Sequence, residues 1–224
     1  MDARWVYDTA TKGVGKLAEA YTLKGDGTKD YRRVQTYDSV SRPSKTTITL
    51  DQDYSTSIDY DGYGRPWRKT YARNTIGGSG GPSNAVETGY NAYGYAAQTR
   101  SNTAAGSKIE SKVVAVDAEN RVIREALGNG LYTDRRYNSY IGTLDGISTG
   151  LDNGAGGDNA SVQDDSYQYD VLNNLMYRAQ KADSAGAMLQ EWFDYDVLNR
   201  VKLSTVNSTT KNFGYDAIGN LTSR

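Results

Sequence analysis

Apolar and polar residues alternate along several short segments of the chain, and each segment ends in a tyrosine followed by Asp or Asn. The residue two positions before the tyrosine is often large and apolar, namely Trp5, Ile58, Tyr167, Phe193 and Phe213. A period of two predicts a β-strand that is buried on one side. A further apolar residue commonly follows six positions after the tyrosine position, at Val122, Leu175, Val201 and Leu221. The pattern therefore predicts a strand, a tight turn and a returning strand.

This turn pattern recurs nine times along the chain. Seven copies are unbroken and cover residues 37–42, 60–65, 90–95, 116–121, 169–174, 195–200 and 215–220, and two copies with insertions begin at Tyr7 and Tyr137. Successive copies start 20 to 32 residues apart. Such an interval holds two strands of roughly 5–8 residues each and two short connections. The repeat therefore predicts a tandem array of β-hairpins.

Each position of the repeat has a predicted role in the turn. The Asp or Asn side chain in the second position can accept a hydrogen bond from backbone two residues further on. The fifth position is Gly or Asn in six of the seven unbroken copies, and these residues adopt positive φ most readily. Ser41 is the exception, and we expect a different turn type there. The predicted turn residues are Tyr37, Asp38, Tyr60, Asp61, Gly64, Tyr90, Gly94, Asp117, Asn120, Tyr169, Asp170, Asn173, Tyr195, Asp196, Asn199, Tyr215, Asp216 and Gly219.

The predicted fold class is all-β, a repeat array of antiparallel hairpins that forms a large curved or spiralling sheet. We expect residues 1–224 to form a single array of about nine units. The glycine-rich residues 76–84 and 142–165 are interpreted as longer loops and not as domain boundaries, because the repeat resumes after each.

Two segments have helix-like sequences. Residues 117–127 resemble a capped helix that ends at Gly128, and residues 179–192 are rich in helix-forming residues. The repeat register favours strands in both, because Asp117 and Asn120 occupy turn positions. Residues 183–186 would supply a further hairpin turn.

The composition supports a thin-walled structure. Hydrophobic residues make up only 37% of the chain, and the mean hydropathy is −0.71. There are 19 Tyr against 2 Phe, and tyrosine can bury its ring in a sheet while its hydroxyl stays hydrated. Lys and Arg total 26 against 27 acidic residues, without a basic block, so we expect no nucleic-acid binding. The longest apolar runs are only a few residues, so we expect no membrane span.

Cysteine and histidine are both absent. Disulfides, thiol nucleophiles and Ser-His-Asp triads are therefore excluded, as are most zinc sites. Aspartate that recurs at every turn indicates a structural row and not a catalytic pair. We accordingly expect no enzyme activity, no catalytic or metal-binding residues and no cofactor. Residues 25–30 and 152–158 resemble calcium loops only superficially, because neither has the required spacing.

Two residue types at the turns have alternative interpretations. Arginine often follows the fifth position, at Arg42, Arg65, Arg121 and Arg200. Each arginine could pair with the Asp four residues earlier or form a ladder along the sheet. We expect solvated edge residues whose ion pairs stabilise the fold by at most about 1 kcal/mol. Tyr63, Tyr93 and Tyr140 lie inside turns, where they could stack on sugars or simply fill the sheet.

These segments resemble the YD repeats of RHS-repeat proteins, which include bacterial polymorphic-toxin shells, insecticidal toxin-complex subunits and animal teneurins. Residues 5–10 and 13–17, residues 128–131 and residues 193–200 are similar to the bacterial toxin-associated branch. The resemblance covers essentially the whole chain. It implies a spiralling antiparallel sheet that closes into a hollow cocoon around a C-terminal toxin. This chain would be a section of that wall, truncated relative to the full shell.

The resemblance leads to two functional hypotheses. In the first, the chain is a non-catalytic shell segment that helps to enclose or carry a toxin polypeptide. Its partners would be the remainder of the shell and the toxin, with self-association through open sheet edges. In the second, the chain is a surface adhesive module that binds carbohydrate through aromatic turn residues. Either would place it outside a bacterial cell, secreted or on the cell surface, with an export signal elsewhere.

Overall fold

The structure is a computed structural model that describes residues 2–72, 84–181 and 187–224. Within these residues every regular element is a β-strand. The strands are β1 (Asp2–Tyr7), β2 (Leu17–Leu23), β3 (Lys29–Tyr37), β4 (Pro43–Thr49), β5 (Asp53–Tyr60), β6 (Pro66–Ala72), β7 (Asn84–Tyr90), β8 (Ala96–Thr103), β9 (Gly106–Val116), β10 (Val122–Leu127), β11 (Tyr132–Tyr137), β12 (Leu144–Gly150), β13 (Gln163–Tyr169), β14 (Leu175–Lys181), β15 (Met188–Tyr195), β16 (Val201–Val206), β17 (Thr209–Asn212), β18 (Gly214–Tyr215) and β19 (Leu221–Ser223). The all-β expectation is confirmed.

The chain divides into two compact units, residues 1–111 and 112–224, with the boundary inside β9. In the first unit, each strand from β1 to β7 pairs antiparallel with the strand that follows it. In the second unit the same is true from β10 to β16, and β18 pairs with β19. The predicted array of antiparallel hairpins is therefore confirmed in each unit, and the assignment of all residues to one domain stays a prediction.

The hairpins have a shared irregularity at the repeat tyrosine. In eight hairpins the strand register shifts at this residue, namely at Tyr7, Tyr37, Tyr60, Tyr90, Tyr137, Tyr169, Tyr195 and Tyr215. The shift follows from a β-bulge, in which a residue with positive φ adds one position to the returning strand. The repeat therefore fixes where each strand ends and where its partner begins.

Few side chains are buried in the described part of the chain. The buried apolar residues are Ala18, Ala85 and Ala179, and no large side chain is fully buried. Ile58, Tyr167, Phe193 and Phe213 are half-buried as expected for a one-sided strand, whereas Trp5 is exposed. The strands of each unit contact mainly their neighbours in sequence, so most burial comes from strand-to-strand contact.

The interpretation of residues 142–165 as one long loop is wrong, because β12 and β13 occupy both of its ends. Gly146 and Gly150 are strand residues that allow close approach of neighbouring backbone. A Cβ atom on Gly146 would lie 2.9 Å from the Asp165 carbonyl oxygen, and one on Gly150 would lie 2.8 Å from the Ser161 nitrogen. These two glycines therefore have a steric role in the sheet and do not indicate a loop.

Neither of the two helix-like segments contains a helix in its described residues. Residues 122–127 form β10, and residues 179–192 contribute to β14 and β15. The proposed turn at residues 183–186 lies outside the described residues, as do residues 76–83 of the other expected loop. No helix in the described part of the chain is long and apolar enough to cross a membrane.

Candidate functional site

The repeat turns are the most regular chemical feature of the structure, and the Asp or Asn in the second position organises each one. In the turn at residues 37–42, Asp38 Oδ1 accepts hydrogen bonds from Val40 N at 3.0 Å and from Arg42 N at 2.8 Å. Asp38 Oδ2 accepts a third bond from Arg42 Nε at 2.7 Å. One carboxylate therefore binds both the backbone of the turn and the side chain of the arginine that follows the fifth position.

The same three contacts recur at other turns. Asp61, Asp117 and Asp196 each accept two backbone N–H groups and one arginine Nε. At Asp170 and Asp216 an asparagine replaces the arginine, and its Nδ2 donates at 3.0 and 2.8 Å. The backbone and side-chain hydrogen bonds from Arg200 hold the pKa of Asp196 below its ordinary value.

The fifth position of each unbroken turn adopts positive φ. The angles are 66° at Ser41, 84° at Gly64, 89° at Gly94, 62° at Asn120, 64° at Asn173, 58° at Asn199 and 94° at Gly219. The expectation of a different turn at Ser41 is wrong, because Ser41 N donates to Asp38 O at 3.0 Å as its equivalents do. The contacts of Asp38 determine the turn type strongly enough for a serine to adopt the left-handed conformation.

Each turn arginine also contacts the next repeat. The guanidinium carbon of Arg42 lies 4.0 Å from the centroid of the Tyr60 ring, and that of Arg65 lies 4.1 Å from the Tyr90 ring. Arg121 over Tyr137 and Arg200 over Tyr215 repeat the arrangement at 4.4 Å. These arginines are therefore not simply solvated edge residues, because each pairs with its own Asp and stacks on the following tyrosine.

The repeat tyrosines complete the connection through their hydroxyl groups. Tyr60 donates to the Pro43 carbonyl oxygen at 2.8 Å, and Tyr90 donates to Pro66 O at 2.8 Å. The same bond is made by Tyr37 to Leu17 O, by Tyr169 to Leu144 O, by Tyr195 to Leu175 O and by Tyr215 to Val201 O. We call this series of Asp clamps, Arg–Tyr stacks and tyrosine hydroxyl bonds the turn ladder.

The turn ladder explains which residue occupies the fifth position. A Cβ atom on Gly64 would lie 3.0 Å from Arg42 Nη1, and one on Gly142 would lie 2.8 Å from Arg121 Nη1. Glycine follows an arginine of the preceding turn in four cases, at Gly64, Gly94, Gly142 and Gly219. Where the preceding turn has Lys16, Thr143 or Asn174 instead, the fifth position is Ser41, Asn173 or Asn199. Positive φ alone predicts Gly or Asn, and the neighbouring guanidinium favours Gly at Gly64, Gly94 and Gly142, whereas a Cβ on Gly219 would lie 4.0 Å from Arg200 Nη1, at ordinary contact distance.

The candidate glycan-binding tyrosines all lie at exposed turn tips. Tyr63 and Tyr93 are 88% and 86% exposed and line one groove together with Arg65, Tyr90 and Asn91. Tyr140 is 95% exposed and belongs to the turn before β12, in the other unit. The structure therefore brings two of the three candidates together.

Apolar residues at other turn tips were not singled out from the sequence. Val171, Leu172, Val197, Leu198 and Ile218 occupy the third or fourth positions of three successive turns, and all are exposed. Turn tips usually carry Gly, Asn, Asp or Ser. Apolar residues at these positions are therefore unusual, and the sequence alone was sufficient to identify them.

The remaining acidic candidates lie in turns. Asp8 has φ of 66°, and its side chain accepts a hydrogen bond from Gly15 N. Asp26 Oδ1 accepts from Thr28 N at 2.9 Å, and Asp152 bridges to Asp158 within a loop. No group of three or more acidic side chains among the described residues could hold a metal ion.

Known proteins match this chain in structure and not in sequence. No protein-family model and no curated protein matches the sequence. Solved structures do match, at 17–18% sequence identity: TcdB2-TccC3-Cdc42 with a TM-score of 0.77, the Photorhabdus luminescens Tc holotoxin pore with a TccC3 mutation at 0.75, and TcdB2-TccC3-TEV at 0.68. The chain has the fold found in these structures.

Each match covers 98% of this chain and 12% of the longer chain, so the present sequence corresponds to a small part of each matched protein. The fold that the resemblance implies, an antiparallel hairpin sheet, is thereby confirmed. At this identity the likeness concerns the fold alone, and roles for this chain have to be argued from its own residues.

Proposed function

We propose that this chain is a non-catalytic structural segment of a shell that encloses or carries a toxin polypeptide. The turn ladder is the observation that carries the proposal. In the turn ladder, the most regular polar side chains of the chain join one hairpin to the next, as a continuous wall requires. The structural match to the Photorhabdus luminescens Tc holotoxin pore supports a toxin-associated role.

The mechanism is physical exclusion. Backbone hydrogen bonds join the strands of each hairpin, and the turn ladder fixes successive turns against each other, so the sheet resists local opening at its rim. The partners would be the remainder of the shell and the enclosed polypeptide. The location would be extracellular or on the surface of a bacterial cell.

Protease protection in the complete product of the gene that encodes this chain tests the proposal. We expect a segment outside the repeat array to resist an added protease while the shell is folded and to be cleaved after denaturation. A variant with Arg42→Ala, Arg65→Ala and Arg200→Ala should lose protection at lower denaturant concentration than the parent. The control replaces exposed Arg4 of β1, which pairs with exposed Asp2 and lies outside the repeat turns. A gene product that shields no further segment contradicts the proposal.

Carbohydrate adhesion is the second candidate, because Tyr63 and Tyr93 share a groove with polar Arg65 and Asn91. Exposed aromatic rings with neighbouring hydrogen-bonding groups suit sugar rings. A glycan array probed with the purified chain tests it. Binding should disappear with Tyr93→Ala and persist with Tyr93→Phe, which keeps the ring. An array without binding removes this candidate.

A further inference from the structure

Large aliphatic side chains are concentrated at the tips of three successive turns in the second unit, residues 169–174, 195–200 and 215–220. They occupy the third or fourth turn position, and we call them the tip row: Val171, Leu172, Val197, Leu198 and Ile218. The other four unbroken turns carry a single large aliphatic residue at these positions, Val40. The tip row is therefore a property of this part of the chain and not of the repeat as such.

The tip row is exposed to an unusual degree. Val171 and Val197 are each 99% exposed, and Ile218 is 86% exposed. Leu172 and Leu198 are exposed by about two thirds. Turn positions favour Gly, Asn, Asp and Ser, so the turn itself does not require these aliphatic residues. Single exposed apolar residues are common, whereas a contiguous set marks an interaction surface.

The three turns lie side by side, so their tips form one row. Asn174 Nδ2 of the first turn donates to Asn199 Oδ1 of the second at 3.1 Å. The Arg200 guanidinium of the second turn lies over the Tyr215 ring of the third at 4.4 Å. Neighbouring hairpin turns are two strands apart, which corresponds to a pitch of about 10 Å. The tip row is therefore a series of apolar ridges with gaps between them.

The charges beside the tip row are held within their own turns. The Asp170 and Asp216 carboxylates each accept three hydrogen bonds from their own turn. Asp196 pairs with Arg200 at 2.7 Å. No charged residue occupies the third or fourth position of these turns, whereas Glu119 occupies the fourth position of the turn at residues 116–121. Two tip rows can therefore approach each other without like charges meeting at their tips.

Pitch and area both favour a second copy of this chain as the occupant. A second tip row has the same pitch, so its ridges fit the gaps of the first when the rows are shifted by half a pitch. Five such side chains offer about 500 Å² of apolar surface, which is the size of the largest patch on a typical monomer. Two rows would bury about 1,000 Å² together, at the lower limit for specific protein interfaces and in the class of weak, reversible contacts.

We propose that two copies of this chain associate through their tip rows, related by a two-fold axis. In such an isologous contact the middle turn, residues 195–200, lies beside its own counterpart, and the turn at residues 169–174 lies beside the turn at residues 215–220 of the other copy. The contact uses side chains at turn tips, so it differs from strand pairing at an open sheet edge. It goes beyond the proposed shell function, because it requires neither a toxin nor further shell.

Analytical ultracentrifugation of the intact chain tests the proposal, from about 1 μM to about 1 mM, where weak interfaces dissociate. The parent should show a reversible monomer–dimer equilibrium. Val171→Ser with Val197→Ser places a residue suited to turns at both positions and should raise the dissociation constant at least about tenfold. Because both valines make almost no contact within the chain, the far-UV circular dichroism spectrum should not change.

The matched control is Val14→Ser with Val40→Ser, which removes two exposed valines from turns of the first unit and should keep the parental dissociation constant. The chain has no cysteine, so a single introduced thiol reports proximity. Val197→Cys should form a disulfide-linked dimer on mild oxidation much faster than Val14→Cys.

Three results would overturn the proposal. One is a parent that remains monomeric over the whole concentration range, including a monomer that instead binds phosphatidylcholine vesicles through the tip row. Another is a Val171→Ser, Val197→Ser variant that dimerises as tightly as the parent, which would assign the association to sheet edges. The third is an equal rate of disulfide formation for Val197→Cys and Val14→Cys.

Discussion

At the scale of single residues, glycine in the fifth position is coupled to arginine in the preceding turn. Gly64→Asn should destabilise the chain by about 0.5–1 kcal/mol, because the new Cβ displaces Arg42 from the Tyr60 ring. In the Arg42→Asn background the same change should be close to neutral. A double-mutant cycle from urea denaturation measures the coupling. The control is Gly27→Asn, where φ is 82° and no atom lies within 4 Å of the added Cβ.

A second residue-scale prediction concerns acid sensitivity. The pKa of Asp196 is lowered by hydrogen bonds from the backbone N–H and then the side chain of Arg200. Stability from this contact is therefore present above the ordinary aspartate value and is lost as the pH falls through the lowered one. The urea midpoint should fall over that window, and less steeply in Asp196→Asn. Asp59→Asn, at an exposed position on β5, should leave the slope unchanged.

At the scale of the hairpin, the tyrosine hydroxyl is the contact that joins one element to the previous one. Tyr195→Phe removes the 2.8 Å bond to Leu175 O and leaves a half-buried carbonyl without this donor. We expect a loss of about 0.5–1.5 kcal/mol in the free energy of unfolding, measured by urea denaturation. Tyr63→Phe changes an exposed ring at a turn tip and should have no measurable effect. Equal losses in both variants would contradict the proposed role of the hydroxyl.

The hairpins could be predicted from the sequence because two local signals agree. Apolar and polar residues alternate along the strands, and each turn combines Asp or Asn in the second position with a residue that adopts positive φ in the fifth. The strand at Leu144–Gly150 was not predicted, because its glycines allow close contact with Asp165, Ala160 and Ser161. These residues lie further along the chain and approach the glycines only when the sheet forms. The role of Arg42 was missed for the same reason. Its stacking partner, Tyr60, lies one full repeat away.

At the scale of the whole molecule, the described structure buries little apolar surface for its length. The buried apolar residues of the described part of the chain are all alanines, and no large side chain there is fully buried. Its stability must therefore depend more on strand hydrogen bonds and on the turn ladder than on a core of large side chains. The heat capacity change of unfolding reports this difference, because it arises from newly exposed apolar surface.

Calorimetry of the isolated chain should therefore give a heat capacity change per residue clearly below the usual value of about 12–15 cal/mol/K. The urea m-value should be low for the same reason, since it scales with the surface exposed on unfolding. Both measurements should be repeated over a range of protein concentrations, because self-association would bury surface and raise them. A normal heat capacity change at the lowest concentration would show that the chain buries its apolar side chains in a way that these strand contacts do not account for.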